Sequence, residues 1–232
     1  MLVIGHRGAA GLATENSPQA LRAGLKSGAD MLEFDVRLTS DKIPVIVHDF
    51  HLYRTHGDMA FISRLTLSEL RARTSARPIA TLSEILDEFY GHVPLNIEIK
   101  GRGTAIEVIK LLKNNYIKSA DDWKNLLISS FKVGELISVR SLSKDAKLGM
   151  LHSINPFLFM FFHRKLQLSA VGFHRLFTSK IALRIAKKHS LFTYVYTVDQ
   201  PKTALSLAQQ GTGGVVTNRP DLIKSAVDKQ SN

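Results

Sequence analysis

Eight short runs of apolar and β-branched residues recur along the chain, and between consecutive runs lie stretches that read as amphipathic helices. The runs are LVIG from Leu2, MLEFDV from Met31, LNIEIK from Leu95, LLISSF from Leu126, KLGML from Lys147, AVGFH from Ala170, TYVYTV from Thr193 and GVVTN from Gly214. Strand and helix in alternation argue for parallel strands, each joined to the next by a crossover helix. Eight such units close most naturally into an α/β fold, an eight-stranded parallel (β/α) TIM barrel. At 232 residues the length suits one such barrel, which commonly runs to roughly 250. No linker, repeat or low-complexity segment interrupts it, so residues 1–232 are expected to form a single domain.

The helix boundaries carry their own signals. Ser17 before Pro18 reads as an N-cap and first helical position, with Gly28 as the stop. Thr66 with Glu69, Thr81 with Glu84, and Thr104 with Glu107 each fit the capping box, in which threonine and glutamate satisfy orphan amides reciprocally. Asp199 and Pro201 open a further helix that Gly211 closes. One segment breaks the alternation: after MLEFDVRL the chain reads TSDK and then IPVIVHDF, with no room for a helix. A small β-hairpin insertion after the second strand is therefore expected. A turn centred on Asp41 and Lys42 would set Ser40 opposite Ile43 and Asp35 opposite His48.

Composition removes several function classes. The absence of cysteine excludes disulfides, zinc-thiolate sites and thiol nucleophiles, so any metal must be held by oxygen or imidazole. Lysine and arginine exceed the acids by eleven, but in short scattered clusters such as Arg71, Arg73 and Arg77, without aromatic interleaving or a nucleic-acid motif. The excess reads as a general preference for anionic ligands, with no nucleic acid as partner. The first apolar run is too short for a signal peptide, which makes the cytoplasm the expected compartment.

Charged groups placed inside strands point to chemistry. Glu33 and Asp35 lie two apart, so they share a face of their strand, and Glu98 with Lys100 repeats the theme within LNIEIK. Adjacent buried carboxylates need either matched cations or a metal. Three of them near the C-terminal ends of barrel strands suit one hard divalent cation, Mg2+ or Ca2+. His6 follows the first strand in GHRGAA and His48 returns along the hairpin, a pair able to take and give a proton. Arg7 is placed for an anionic group, and Gly8 lets the backbone approach it. The other histidines, His51, His56, His92, His152, His163, His174 and His189, read as structural or exposed.

With these residues in place, HRG, ENSPQAL, GAD, EFDVRLTSDKIPVIVHD, TLSEIL, NIEIK, ISSF, YVYTVD and GGVVTNRP resemble the glycerophosphodiester phosphodiesterases in order and spacing from end to end. The resemblance implies a barrel enzyme that uses a divalent metal to hydrolyse glycerophosphodiesters, small-molecule substrates, to glycerol 3-phosphate and an alcohol. It assigns acid and base to His6 and His48, metal binding to Glu33, Asp35 and Glu98, and phosphate contacts to Arg7 and Lys100. It implies attack by the neighbouring glycerol hydroxyl through a cyclic phosphate, with direct attack by water as the competing route. Phe131 and Tyr196 would form a substrate wall. Glu15 would orient His6 from behind, or serve as an acid near a helix start.

The chain departs from that family in carrying Tyr196 where tryptophan is usual, and in ending its Gly211 to Asn218 stretch without the usual acids. It also carries INPFLFMFFHRK. Residues 156–166 read first as a buried barrel helix and alternatively as a lid in peripheral membrane contact, tested at Phe159. The lid would make the protein a lysophospholipase D at a membrane surface. A non-catalytic sensor of anionic metabolites is the other alternative.

Overall fold

The computed structural model describes residues Met1–Ser231. All eight expected runs are strands: β1 (Leu2–Gly5), β2 (Met31–Leu38), β4 (Leu95–Ile99), β5 (Leu126–Ser130), β6 (Lys147–His152), β7 (Ala170–His174), β8 (Phe192–Tyr196) and β9 (Gly214–Thr217). Each pairs in parallel with its neighbours, and pairing of β1 with both β2 and β9 closes the ring. An additional strand, β3 (Pro44–Ile46), lies outside the ring, antiparallel to β2.

The helices alternate with the strands. Helix α1 (Pro18–Lys26) follows β1, and α2 (Tyr53–His56), α3 (Leu67–Arg73) and α4 (Leu82–Phe89) lie between β3 and β4. Then come α5 (Thr104–Asn115), α6 (Val133–Leu142), α7 (Phe159–Leu166), α8 (Lys180–Lys188), α9 (Pro201–Gln209) and α10 (Pro220–Ser231), one after each remaining strand. Strand alternation divides the apolar residues into two sets. Phe34, Ile97, Ile128, Val171 and Val195 face the helices, whereas Ile4, Leu127, Leu151, Tyr194 and Val216 form a smaller cluster of their own. Tyr194 is admitted by Gly172, where a Cβ would stand 2.6 Å from its ring.

Local signals mark most helix ends. Ser17 accepts from the Ala20 amide with Pro18 at the first position, and both capping boxes at Thr66/Glu69 and Thr81/Glu84 form. The third expected box does not. Thr104 lies inside α5, whose cap is Gly103, and Glu135 of α6 accepts the Gly103 and Ala105 amides at 2.7 and 2.9 Å. Likewise α9 is capped by Gln200, while Asp199 turns toward Thr217 and Asn218.

The hairpin forms one residue out of the expected register. Val36 pairs with Ile46 and Leu38 with Pro44, and the Val47 amide donates to the Asp35 carbonyl at 2.9 Å, so Val47, not His48, lies opposite Asp35. The loop holds three residues instead of two. Lys42 takes a left-handed φ of 64°, the usual closure of a three-residue hairpin loop. The insertion has its own core of Val45, Val47, Leu52, Ile62, Leu65 and Leu70.

Residues 156–166 are divided between the two readings. Phe159 and Leu166 of α7 are buried in the main core, but Met160 and Phe161 face outward, Phe161 at 78% exposure. Phe159 is thus a core residue, not a lid residue. Among the described residues no helix is long and apolar enough to cross a membrane.

Candidate active site

The pairing of β2 with β4 sets Asp35 beside Glu98 and Glu33 beside Asn96. Glu33, Asp35 and Glu98 consequently converge, each offering an oxygen within 4.8 Å of the others, and all three are buried. Two cations answer them. Lys100 Nζ is 3.1 Å from Asp35 Oδ1 and pairs with Glu98, and Arg7 Nε is 3.3 Å from Asp35 Oδ2. Asn16 clamps Asp35 from the other side, donating Nδ2 to Oδ2 at 2.9 Å while its Oδ1 accepts the Asp35 amide at 3.0 Å.

The three carboxyls respond differently. Burial would raise Asp35, but the charges of Lys100 and Arg7 outweigh it and hold the group at about 2. Burial, then the charge of Asp35, pushes Glu98 up to about 7. Burial and the charges of Asp35 and Glu98 push Glu33 well above the carboxylate range. Glu33 Oε2 accepts the Arg7 amide at 2.8 Å, yet Oε1 is buried without a hydrogen-bond partner. A hard divalent cation fits this set: three oxygen donors converge, one lacks a partner, and two carboxyls are held by their neighbours in a state that a cation would relieve.

The two histidines are held by different means. At the end of β1 the His6 amide donates to the Thr217 carbonyl at 2.8 Å, and the chain then turns through Arg7 and Gly8 at positive φ. A Cβ on Gly8 would stand 2.5 Å from the Ala20 backbone, so only glycine lets this turn sit against α1. His6 Nδ1 is 2.7 Å from Asn218 Oδ1, and Asn218 Nδ2 donates to Asp199 at 2.8 Å. Burial and the Arg7 charge lower the His6 pKa. His48 emerges just past β3 with Nδ1 2.7 Å from Asp49 Oδ1; burial lowers its pKa too, against the opposing charge of Asp35.

Glu15 does not take the role of orienting His6. Its carboxylate accepts from Arg7 at 2.7 Å and from Arg54 at 2.5 and 2.8 Å, and Arg54 also donates to Asp49 at 2.6 Å. One run of ion pairs and hydrogen bonds therefore joins Asp35, Arg7, Glu15, Arg54, Asp49 and His48. The sequence assigns no role to Asn16, Asp49, Arg54 or Asn218, although Asn16 and Asp49 sit inside ENS and HD and Asn218 ends the stretch that departs from the resemblance.

The two histidines, the two cations, Glu33 and Glu98 share one cavity of about 180 Å³. His6, Arg7, Glu33, His48, Glu98 and Lys100 line its polar part. Phe131 and Tyr196 form an aromatic part, edge to face at 5.8 Å, with Lys100 Nζ 5.3 Å from the Phe131 centroid. Paired histidines able to exchange protons, beside cations able to neutralise an anion and carboxylates able to hold a metal, suit the chemistry of a phosphoric ester hydrolase.

Comparison with known proteins gives the class its family. Residues 6–222 match the Glycerophosphoryl diester phosphodiesterase family, and the chain belongs to it. The glycerophosphodiester phosphodiesterase of Caldanaerobacter subterraneus subsp. tengcongensis is 28% identical over 247 residues, covering 98% of each chain. An Oleispira antarctica phosphodiesterase, solved with the product sn-glycerol-3-phosphate, superposes with a TM-score of 0.86 at 28% identity, over 98% of this chain and 97% of that one. The Thermotoga maritima glycerophosphodiester phosphodiesterase gives 0.84 at 27% identity, with 97% of each chain covered. These relatives favour neither the sensor nor the lysophospholipase D.

Proposed function

We propose that this enzyme hydrolyses glycerophosphodiesters to glycerol 3-phosphate and an alcohol, with one Mg2+ or Ca2+ held by Glu33, Asp35 and Glu98 and proton transfer by His6 and His48, all within one domain of residues 1–232. The observation that carries this reading is the cavity itself, in which both histidines, both phosphate-matching cations, Glu33 and Glu98 meet, with Asp35 converging on the two glutamates. The bound glycerol 3-phosphate of the Oleispira relative supports the substrate class. When bound, the cation supplies positive charge against the phosphate oxygens.

The residues divide the remaining work. Arg7 and Lys100 hold the diester phosphate and absorb charge developing on its oxygens. Phe131 and Tyr196 flank the glycerol and exclude water. His6, kept neutral by burial and by Arg7, accepts the proton of the attacking hydroxyl at Nε2. His48 donates to the leaving oxygen: against the lowering effect of burial, the Asp49 carboxylate at its Nδ1 favours the imidazolium, and an anion there does so more strongly than the neutral amide of Asn218 does for His6. The attacking hydroxyl belongs to the glycerol, through a cyclic phosphate, or to water.

The test is release of glycerol 3-phosphate from glycerophosphocholine and glycerophosphoethanolamine with Mg2+, Ca2+ or chelator, followed by phosphorus NMR. Metal-dependent product supports the reading, and a transient cyclic phosphate identifies the route. No product from either diester with either metal contradicts it.

A further inference from the structure

The positive charge is not scattered as the short clusters suggest. Between Ala146 and Val198 the chain carries eight lysines and arginines and no aspartate or glutamate. Those residues build β6, α7, β7, α8 and β8, which are consecutive in the barrel wall. One sector of the molecule therefore holds most of the formal +11 with no carboxylate of its own to offset it.

The same sector exposes large apolar side chains at the strands' C-terminal ends, the face on which the cavity opens. Ile154 after β6 is 69% exposed, Phe161 in the first turn of α7 is 78%, Leu176 after β7 is 71% and Ile181 in the first turn of α8 is 61%. Arg164 and Lys165 follow Phe161 on α7, while Lys180 and Arg184 flank Ile181, and all four are exposed. An aromatic path ties this rim to the cavity: Phe177 is 5.6 Å from His174, His174 is 5.9 Å from Tyr196, and Tyr196 meets Phe131.

We propose that this rim docks on an anionic phospholipid bilayer, with Ile154, Phe161, Leu176 and Ile181 entering the acyl boundary while the neighbouring cations meet lipid phosphates. Apolar tips beside a basic collar are the composition an interface of that kind selects. A second copy of the chain fits poorly, because a two-fold interface would set this positive sector against itself. Nucleic acid fits poorly as well, since three of the four rim side chains, Ile154, Leu176 and Ile181, offer no ring for a base to stack on. Docked in this way, the cavity mouth would face the membrane, a property beyond the hydrolysis proposed above.

Co-sedimentation with phosphatidylcholine vesicles containing about one-third phosphatidylglycerol, at about 0.15 M salt, tests the surface. Wild-type protein is expected to pellet with these vesicles and to stay in solution with pure phosphatidylcholine. Phe161→Asp with Leu176→Asp, and separately Arg164→Glu with Lys180→Glu, should each lower the bound fraction at least about tenfold. Melting temperature and glycerophosphocholine turnover without vesicles should not change. The charge-reversal pair keeps the test decisive should the apolar pair fold poorly. Wild-type protein that ignores the anionic vesicles, or vesicle binding that neither pair reduces, overturns the proposal. So does protein that ignores vesicles but binds an oligonucleotide, or a dimer that Phe161→Asp disperses. Turnover is read without vesicles, so failure of docking leaves the hydrolase reading intact.

Discussion

Asn218 presents its carbonyl, not its amide nitrogen, to His6: Oδ1 lies 2.7 Å from His6 Nδ1, while Nδ2 donates to the acceptor-only carboxylate of Asp199 at 2.8 Å. The proton of a neutral His6 is thereby fixed on Nδ1, and Nε2 keeps the lone pair a general base requires.

Asn218→Asp would replace that neutral acceptor with an anion that favours the imidazolium. The base must be neutral, so the acidic limb of the kcat/KM profile should move to higher pH. In the wild type that limb should lie below the ordinary histidine value of 6.5, because burial and Arg7 lower the His6 pKa. Asn218→Ala should reduce kcat/KM about 10- to 100-fold without that shift. A pH–rate profile that is the same for Asn218→Asp and wild type contradicts the assignment.

Glu33→Gln should separate stability from metal binding. Glu33 has a folded pKa raised by burial and by two neighbouring carboxylates, so its ionised form costs stability at neutral pH. The metal-free variant should melt above the metal-free wild type. Cation at about 100 times its Kd should stabilise the wild type by about 2.7 kcal/mol, or about 5–10 °C for a chain of this size. The variant should be indifferent to the cation. Thermal scans with and without Mg2+ and Ca2+ check both statements.

Arg54→Ala removes the link between Glu15 and Asp49. The arginine side chain is half exposed, so the loss of stability should stay below about 1 kcal/mol. Turnover should fall about tenfold, because Asp49 then no longer holds the His48 ring in place, with metal affinity unchanged. Calorimetric metal titration beside steady-state kinetics distinguishes this from general damage.

Glu15 carries a pH signature of its own. Burial would raise its pKa, but the hydrogen bonds and charges of Arg54 and Arg7 outweigh burial and lower it below 4.5. A depressed folded value gives stabilisation that is complete above the unfolded value and lost as pH falls through the folded one. The melting-temperature difference between wild type and Glu15→Gln should be constant above about pH 5 and shrink below 4.5. A difference that grows on acidification contradicts it.

What the sequence showed depended on the distance over which each feature is decided. Strand alternation placed Glu33 and Asp35 on one face, and the i, i+3 relation within Thr66/Glu69 and Thr81/Glu84 marked two helix starts, because these are local. Thr104 misled because the cap of α5 comes from Glu135, 30 residues away in the case of Ala105. The hairpin register slipped because one extra loop residue, with Lys42 left-handed, moves every partner by one. Asn218 stands behind His6 only once β9 closes against β1. In FLFMFF, where every position is a large apolar residue, the pattern alone does not tell buried Phe159 from exposed Phe161.

The division between proton-transfer groups and metal ligands is tested most directly by measuring the metal affinity of His6→Ala and His48→Ala by calorimetry beside their turnover. Turnover should fall by about 100-fold or more while affinity stays within about twofold of wild type, as expected when a general acid or base is removed. Glu33→Ala and Glu98→Ala should lose the metal first. Histidine variants that lose metal as severely as the carboxylate variants would contradict the account.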